Sequence, residues 1–85
     1  MTIYAEILDQ TGGDDLSFEL ADNATVDDLI KAICAEAGFD YAAFNDNYVI
    51  TDGDVDLGTD RSLSLLEADF GGEEVFMELY TAEEW

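Results

Sequence analysis

Apolar and polar residues alternate along the first stretch of the chain. Between residues 2 and 9, Ile3, Ala5 and Ile7 fall on one side and Tyr4, Glu6 and Leu8 on the other, the period of a β-strand. Residues 10–15 bring Gly12-Gly13 and Asp14-Asp15, a turn of hairpin length. Alternation then resumes with Leu16, Phe18 and Leu20 on one side, Ser17 and Glu19 on the other. At Thr25 the period changes. Val26, Leu29, Ile30, Ile33 and Ala37 recur at the spacing of one buried helical face, which predicts a helix over 26–37. Thr25 with Asp28 has the form of a capping box, Asp27 and Asp28 suit the positive helix end, and Gly38 suits its exit. Residues 39–47 hold three aromatics without a clear period. Tyr48, Val49 and Ile50 predict a short strand, 51–54 a turn, and 55–57 a brief return strand. Residues 63–66 read as one helical or 3₁₀ turn and 70–73 as another turn. Residues 74–80 predict a last strand with Val75, Met77 and Leu79 inward and Phe76, Glu78 and Tyr80 outward.

The resulting order, β-β-α-β-(β)-short helix-β, resembles the ubiquitin-like β-grasp family. Residues 25–38 sit where that family's helix sits. Asp60-Arg61-Ser62-Leu63-Ser64 is similar to the segment before its short second helix, and residues 71–79 resemble the approach to its final strand. The resemblance implies an α+β fold in one domain spanning 1–85, with a mixed four- to five-stranded sheet wrapping one main helix. It says little about function, because the β-grasp hosts many roles. Conjugated and sulfur-carrying members end in Gly-Gly, whereas this chain ends Tyr80-Thr81-Ala82-Glu83-Glu84-Trp85. That ending speaks against both roles.

Composition narrows the function further. Twenty-two Asp and Glu face two cations, Lys31 and Arg61, for a formal net charge of -20 over 85 residues. No basic stripe exists to hold a phosphate backbone, so direct nucleic-acid binding is disfavoured. An anionic membrane surface would repel the chain. With no His and one Cys, the common zinc sites and Ser-His or Cys-His nucleophiles cannot be built. No catalytic residue, metal ligand, cofactor or small-molecule substrate is expected. An apolar content of 48% separates the chain from disordered acidic tails. The absence of an 18-residue apolar run, of a signal-peptide pattern and of a second Cys fits a cytoplasmic protein.

The densest acidic stretch is Asp52, Asp54, Asp56 and Asp60. Its alternation resembles a calcium loop, but Leu57 stands where that loop needs Gly and Leu63 where it needs Glu, so a solvated acidic turn is the plainer reading. In an extended chain, alternate carboxylates lie about 6.6 Å apart on one face, of the order of successive phosphates along a nucleic-acid strand. Asp14, Asp15, Asp22, Asp27, Asp28, Asp46, Asp69, Glu73 and Glu74 would extend such a surface. Self-repulsion at this density serves no need of folding. The first reading is therefore a non-enzymatic inhibitor that mimics nucleic acid and occupies the basic groove of a nucleic-acid-binding effector, of the anti-CRISPR or anti-restriction type. Phage-encoded, it would act in the host cytoplasm. The alternative is a ubiquitin-like interaction module, or small subunit, of a salt-loving cell, its acidity being salt adaptation. For that alternative the site is aromatic. Tyr4, Phe76 and Tyr80 would share the sheet face away from the helix, ringed by Glu6, Glu19 and Glu78. Cys34 reads as a small buried hydrophobe, and Trp85 either docks on the sheet or stays free.

Overall fold

The computed structural model describes residues 2–65 and 74–85. Strand β1 (Thr2–Asp9) and strand β2 (Leu16–Ala21) form the opening hairpin, and helix α1 spans Val26–Ala37. A 3₁₀ turn, Tyr41–Ala43, leads into the short helix α2 (Phe44–Asn47) and then strand β3 (Tyr48–Thr51). A second 3₁₀ turn covers Leu57–Thr59, and strand β4 runs Glu74–Thr81. The four strands make one mixed sheet in the order β2-β1-β4-β3. β1 and β4 are parallel, with Ala5 beside Val75 and Ile7 beside Met77, while both outer pairs are antiparallel.

The core follows from the two periods. Ile3, Ala5 and Ile7 of β1, Val75, Met77 and Leu79 of β4, and Ile50 of β3 all point to one face. The stripe Val26, Leu29, Ile30 and Ile33 of α1 packs into the same cluster. Phe44, Leu57 and Leu65 close it from the connecting segments, and Leu16, Phe18 and Leu20 pack half-buried at its edge. The helix begins and ends as its flanking residues dictate. Thr25 and Asp28 form the reciprocal capping box, and Gly38 exits at φ 78°, a left-handed position that Gly adopts without strain.

Three connections differ from the sequence reading. Residues 39–47 carry no visible period because they form two helical turns too short to show one, the first opened by Asp40, whose carboxylate accepts the Ala42 N–H. The expected return strand at 55–57 is reduced to a single bridge between Thr51 and Asp56. Gly53 turns the chain at φ 109°, and Asp52 Oδ1 gathers the N–H groups of Asp54 and Val55, which curls the backbone before a strand can form. The expected helical turn at 63–66 is not helical over its described residues. Together with Arg61 before it, the segment serves another end: the Arg61 and Leu63 carbonyls accept the N–H groups of Asp27 and Val26, and Leu65 N–H donates to the Ala24 carbonyl. A helix N-terminus leaves such donors unsatisfied, and this segment lies across them. Leu66 and the expected turn at 70–73 lie outside the described residues.

Candidate interaction surfaces

The pleat of β1 and β4 sends every second side chain away from α1. Tyr4, Glu6 and Leu8 of β1 stand there beside Glu74, Phe76 and Glu78 of β4, pairwise in that order. Glu19 of β2 flanks Tyr4 from the other side. Tyr4, Leu8 and Phe76 are 48%, 45% and 56% exposed, high values for large apolar groups on a strand. Tyr80 is half-buried beside Val49, and its hydroxyl donates to the Glu78 carboxylate. That bond, and some burial, raise the Tyr80 pKa above the ordinary phenol value. The expected grouping of Tyr4, Phe76 and Tyr80 with Glu6, Glu19 and Glu78 is thus one continuous face. Sequence reasoning left Leu8 out of the group, although the same period-two rule places it there.

The acidic candidates occupy separate places. Asp14 and Asp15 lie at the hairpin tip, beside an open cleft of about 480 Å³ that Glu36 and Phe39 line from the far end of α1. Asp27 and Asp28 lie at the opposite end of that helix, in its first turn. Glu74 opens β4 on the outer sheet face, and Glu73 is outside the described residues. Asp52, Asp54 and Asp56 sit in the curled segment after β3, not along a strand. Asp52 is occupied with backbone N–H groups, and Asp56 accepts the N–H of Gly58 to start the 3₁₀ turn. Asp60 follows that turn, accepting a bond from Ser62. The extended row with strand spacing is therefore not formed. Local N–H donors capture the Asp52 and Asp56 carboxylates and bend the backbone instead.

A polar cluster that the sequence did not reveal lies at the start of α1. Arg61 Nη1 reaches Asp27 Oδ1 at 2.8 Å and Lys31 Nζ reaches Asp27 Oδ2 at 3.2 Å. Tyr41 donates its hydroxyl to the same carboxylate, and both cations lie over its ring, at 5.1 and 5.7 Å from the centroid. The Tyr41 and Arg61 hydrogen bonds, with a smaller part from Lys31, hold Asp27 at a pKa of about 2 against an ordinary 3.8. Asp27 and Arg61 are 34 residues apart, so only the fold brings them together. Both cations of the chain thus converge on one carboxylate.

Cys34 is buried against the core. Burial pushes its thiol pKa up, Asp40 adds to this and Arg61 opposes it. Among the described residues no three His, Cys, Asp or Glu side chains are placed to hold a metal ion. No described helix is long and apolar enough to cross a membrane. Trp85 is 48% exposed, its backbone N–H tied to the Thr81 carbonyl.

Strand order, the parallel central pair and the single main helix define the ubiquitin-like β-grasp fold. Solved structures carry the same arrangement. Ubiquitin from Caldiarchaeum subterraneum is 22% identical over 95% of this chain and 94% of its own, with a TM-score of 0.76. The UBL domain of yeast Ddi1 is 18% identical over 95% and 90%, at 0.74. A chain solved in connection with molecular mimicry of SUMO that promotes DNA repair is 19% identical over 93% and 90%, at 0.63. No family model matches the chain, and no curated protein does. At these identities the likeness establishes the fold.

Proposed function

We propose that this chain is a non-enzymatic protein-interaction module that binds through the outer face of its sheet. One observation carries the reading: Tyr4, Leu8 and Phe76 stand exposed together on a rigid sheet, with Tyr80 beside them. Large apolar groups held on strands lose little freedom on binding and make effective anchors. The ubiquitin-like fold, in which such sheets serve as recognition platforms, agrees with it. The test is capture of partners from a lysate with the wild-type chain and a Tyr4→Ala/Phe76→Ala variant. Both side chains are exposed, so the variant should melt within a few degrees of the wild type. A partner held by the wild type and lost by the variant supports the reading; equal capture overturns it.

A second reading is supported by the charge. Twenty-two carboxylates face two cations, and both cations converge on Asp27. An acidic inhibitor that occupies the basic groove of a nucleic-acid-binding effector would use this surplus. Its contacts would involve the acidic turn, Asp52, Asp54, Asp56 and Asp60, and the first turn of α1, Asp27 and Asp28. In the same capture experiment this reading requires loss on Asp52→Asn/Asp54→Asn/Asp56→Asn substitution, and displacement of the partner by added nucleic acid. The sheet face is preferred because its large apolar groups stand exposed together, whereas among the acidic candidates Asp27 is already paired with both cations and Asp14 and Asp15 lie at the far end of α1.

A further inference from the structure

The cross-strand register fixes what kind of partner the sheet face can hold. Resting on the reading of that face as the binding surface, we infer that its occupant is an arginine-rich segment of a partner protein, with apolar residues set between the arginines.

Each exposed apolar residue on the face has a carboxylate as its side neighbour. Tyr4 lies between Glu19 of β2 and Glu74 of β4, Phe76 lies beside Glu6, and Leu8 lies beside Glu78. Side chains paired in this way stand about 5 Å apart. The face is a checkerboard of apolar and acidic positions and offers no continuous apolar groove. A neutral apolar partner would strip water from Glu6, Glu19 and Glu74 without compensation, and from Glu78 with only the Tyr80 hydroxyl to offset it. A second copy of this chain would bring another -20 to the same place. An anionic lipid surface and a nucleic acid fail for the same reason.

Cationic side chains fit, and arginine fits better than lysine. A guanidinium can lie flat on the ring of Tyr4 or Phe76 while its edge donates two hydrogen bonds to the carboxylate one strand away. The ammonium of lysine is a strongly hydrated point charge and cannot do both at once. The molecule already uses this chemistry at the start of α1, where Arg61 lies over Tyr41 and bonds Asp27. Leu8 and the half-buried Tyr80 remain for the apolar residues between.

The experiment uses the full chain and three synthetic peptides of equal length: Arg alternating with Leu, Lys with Leu, and Glu with Leu. Binding is followed by calorimetry and by backbone amide shifts. The Arg peptide is expected to shift Tyr4, Glu6, Phe76 and Glu78, and to bind roughly three- to tenfold tighter than the Lys peptide. Tyr4→Ala/Phe76→Ala should weaken it by about tenfold or more. Glu6→Gln/Glu78→Gln should weaken it by about tenfold and flatten its salt dependence. Asp52→Asn/Asp54→Asn/Asp56→Asn, which removes as much charge or more, should change it less than twofold. Equal binding of Arg and Lys peptides, insensitive to the sheet substitutions, overturns the inference and marks simple attraction to the net charge. A Glu peptide that binds as tightly and shifts the sheet overturns the cationic partner while leaving the sheet face standing. Shifts confined to residues 52–60 overturn the sheet face itself.

Discussion

Replacing Asp27 by Asn removes one negative charge from a chain with a large excess of them, yet it should destabilise the fold. Asn keeps the shape of Asp but cannot balance Arg61 and Lys31, which lie within 2.8 and 3.2 Å of the carboxylate. A carboxyl held at about 2 instead of 3.8 contributes at most about 2.5 kcal/mol at neutral pH. Solvent reduces that. Asp27 is 24% exposed and Lys31 58%, so screening leaves roughly 1 kcal/mol. In a domain of this size such a loss lowers Tm by about 4–8 °C. The sign against pH follows from the depressed pKa. The stabilisation is complete above the unfolded value near 4, and it fades as pH falls through the folded value of about 2. Urea titrations of both chains at pH 7, 5, 3 and 2 provide the measurement. All other carboxylates titrate in both chains, so their large common effect cancels in the difference. The difference should hold at about 1 kcal/mol above pH 5 and close toward zero at pH 2. A difference that is absent at pH 7, or that persists unchanged to pH 2, would refute the cluster as a source of stability. The same carboxylate raises the Lys31 and Tyr41 pKa values, so their share is complete below pH 10 and fades as pH rises beyond it.

Phe44→Ala should cost about 3–5 kcal/mol in chemical unfolding, because Phe44 is fully buried and the short helix that carries it has nothing else with which to fill the gap. Thr25→Ala removes the Asp28 N–H acceptor and one side of the capping box, and should cost about 1 kcal/mol by the same measurement. Cys34 should resist alkylation in the native chain and react promptly in urea, since burial both hides it and raises its pKa; equal rates would place it outside the core. Melting across a salt series separates the two uses of the charge. A chain already folded near physiological salt agrees with charge used for binding, and a chain that folds only in molar salt agrees with salt adaptation.

The fold was legible because its elements announce themselves locally. The alternation of Ile3, Ala5 and Ile7, the stripe from Val26 to Ile33, and the Thr25–Asp28 and Gly38 caps are all read within a few residues of each other. The outer face was legible for the same reason, since a strand that buries Ile3 must expose Tyr4. Misreadings gathered where the outcome depends on distant partners. Residues 63–65 pattern as a helical turn, but they are held across the start of α1 instead: the Leu63 carbonyl accepts the Val26 N–H, Ser64 bridges Thr25, and Leu65 N–H donates to the Ala24 carbonyl. The Asp27 cluster joins residues from α1, the 3₁₀ turn at Tyr41 and the loop at Arg61, and no local period connects these. The row from Asp52 lacks strand spacing for a further reason: even spacing in the sequence becomes even spacing in space only along an extended backbone, and Gly53 with the Asx turn bends it.

The acidity itself divides by side-chain length. Asp9, Asp15, Asp28, Asp40, Asp52 and Asp56 each accept a backbone N–H at a turn or a helix start. A short carboxylate can reach the backbone close by in this way, which is why Asp favours such positions. Much of the Asp content therefore serves the folding of a proline-free chain with many tight turns, against the premise that so much charge has no structural use. Glu6, Glu19, Glu74 and Glu78 stand instead on strands, where a carboxylate has no turn to close and where β-propensity disfavours it. Replacing these four with Thr or Gln would suit the sheet at least as well. Glu78 does accept the Tyr80 hydroxyl, but a Gln amide oxygen could accept it too, so the presence of the four beside exposed aromatics is not explained by folding. Salt adaptation would set charge anywhere on the surface, whereas a cationic partner requires it at these positions. Substituting the four Glu together should leave the fold as stable or more so while abolishing binding of a basic segment, and substituting the turn Asp residues should do the reverse.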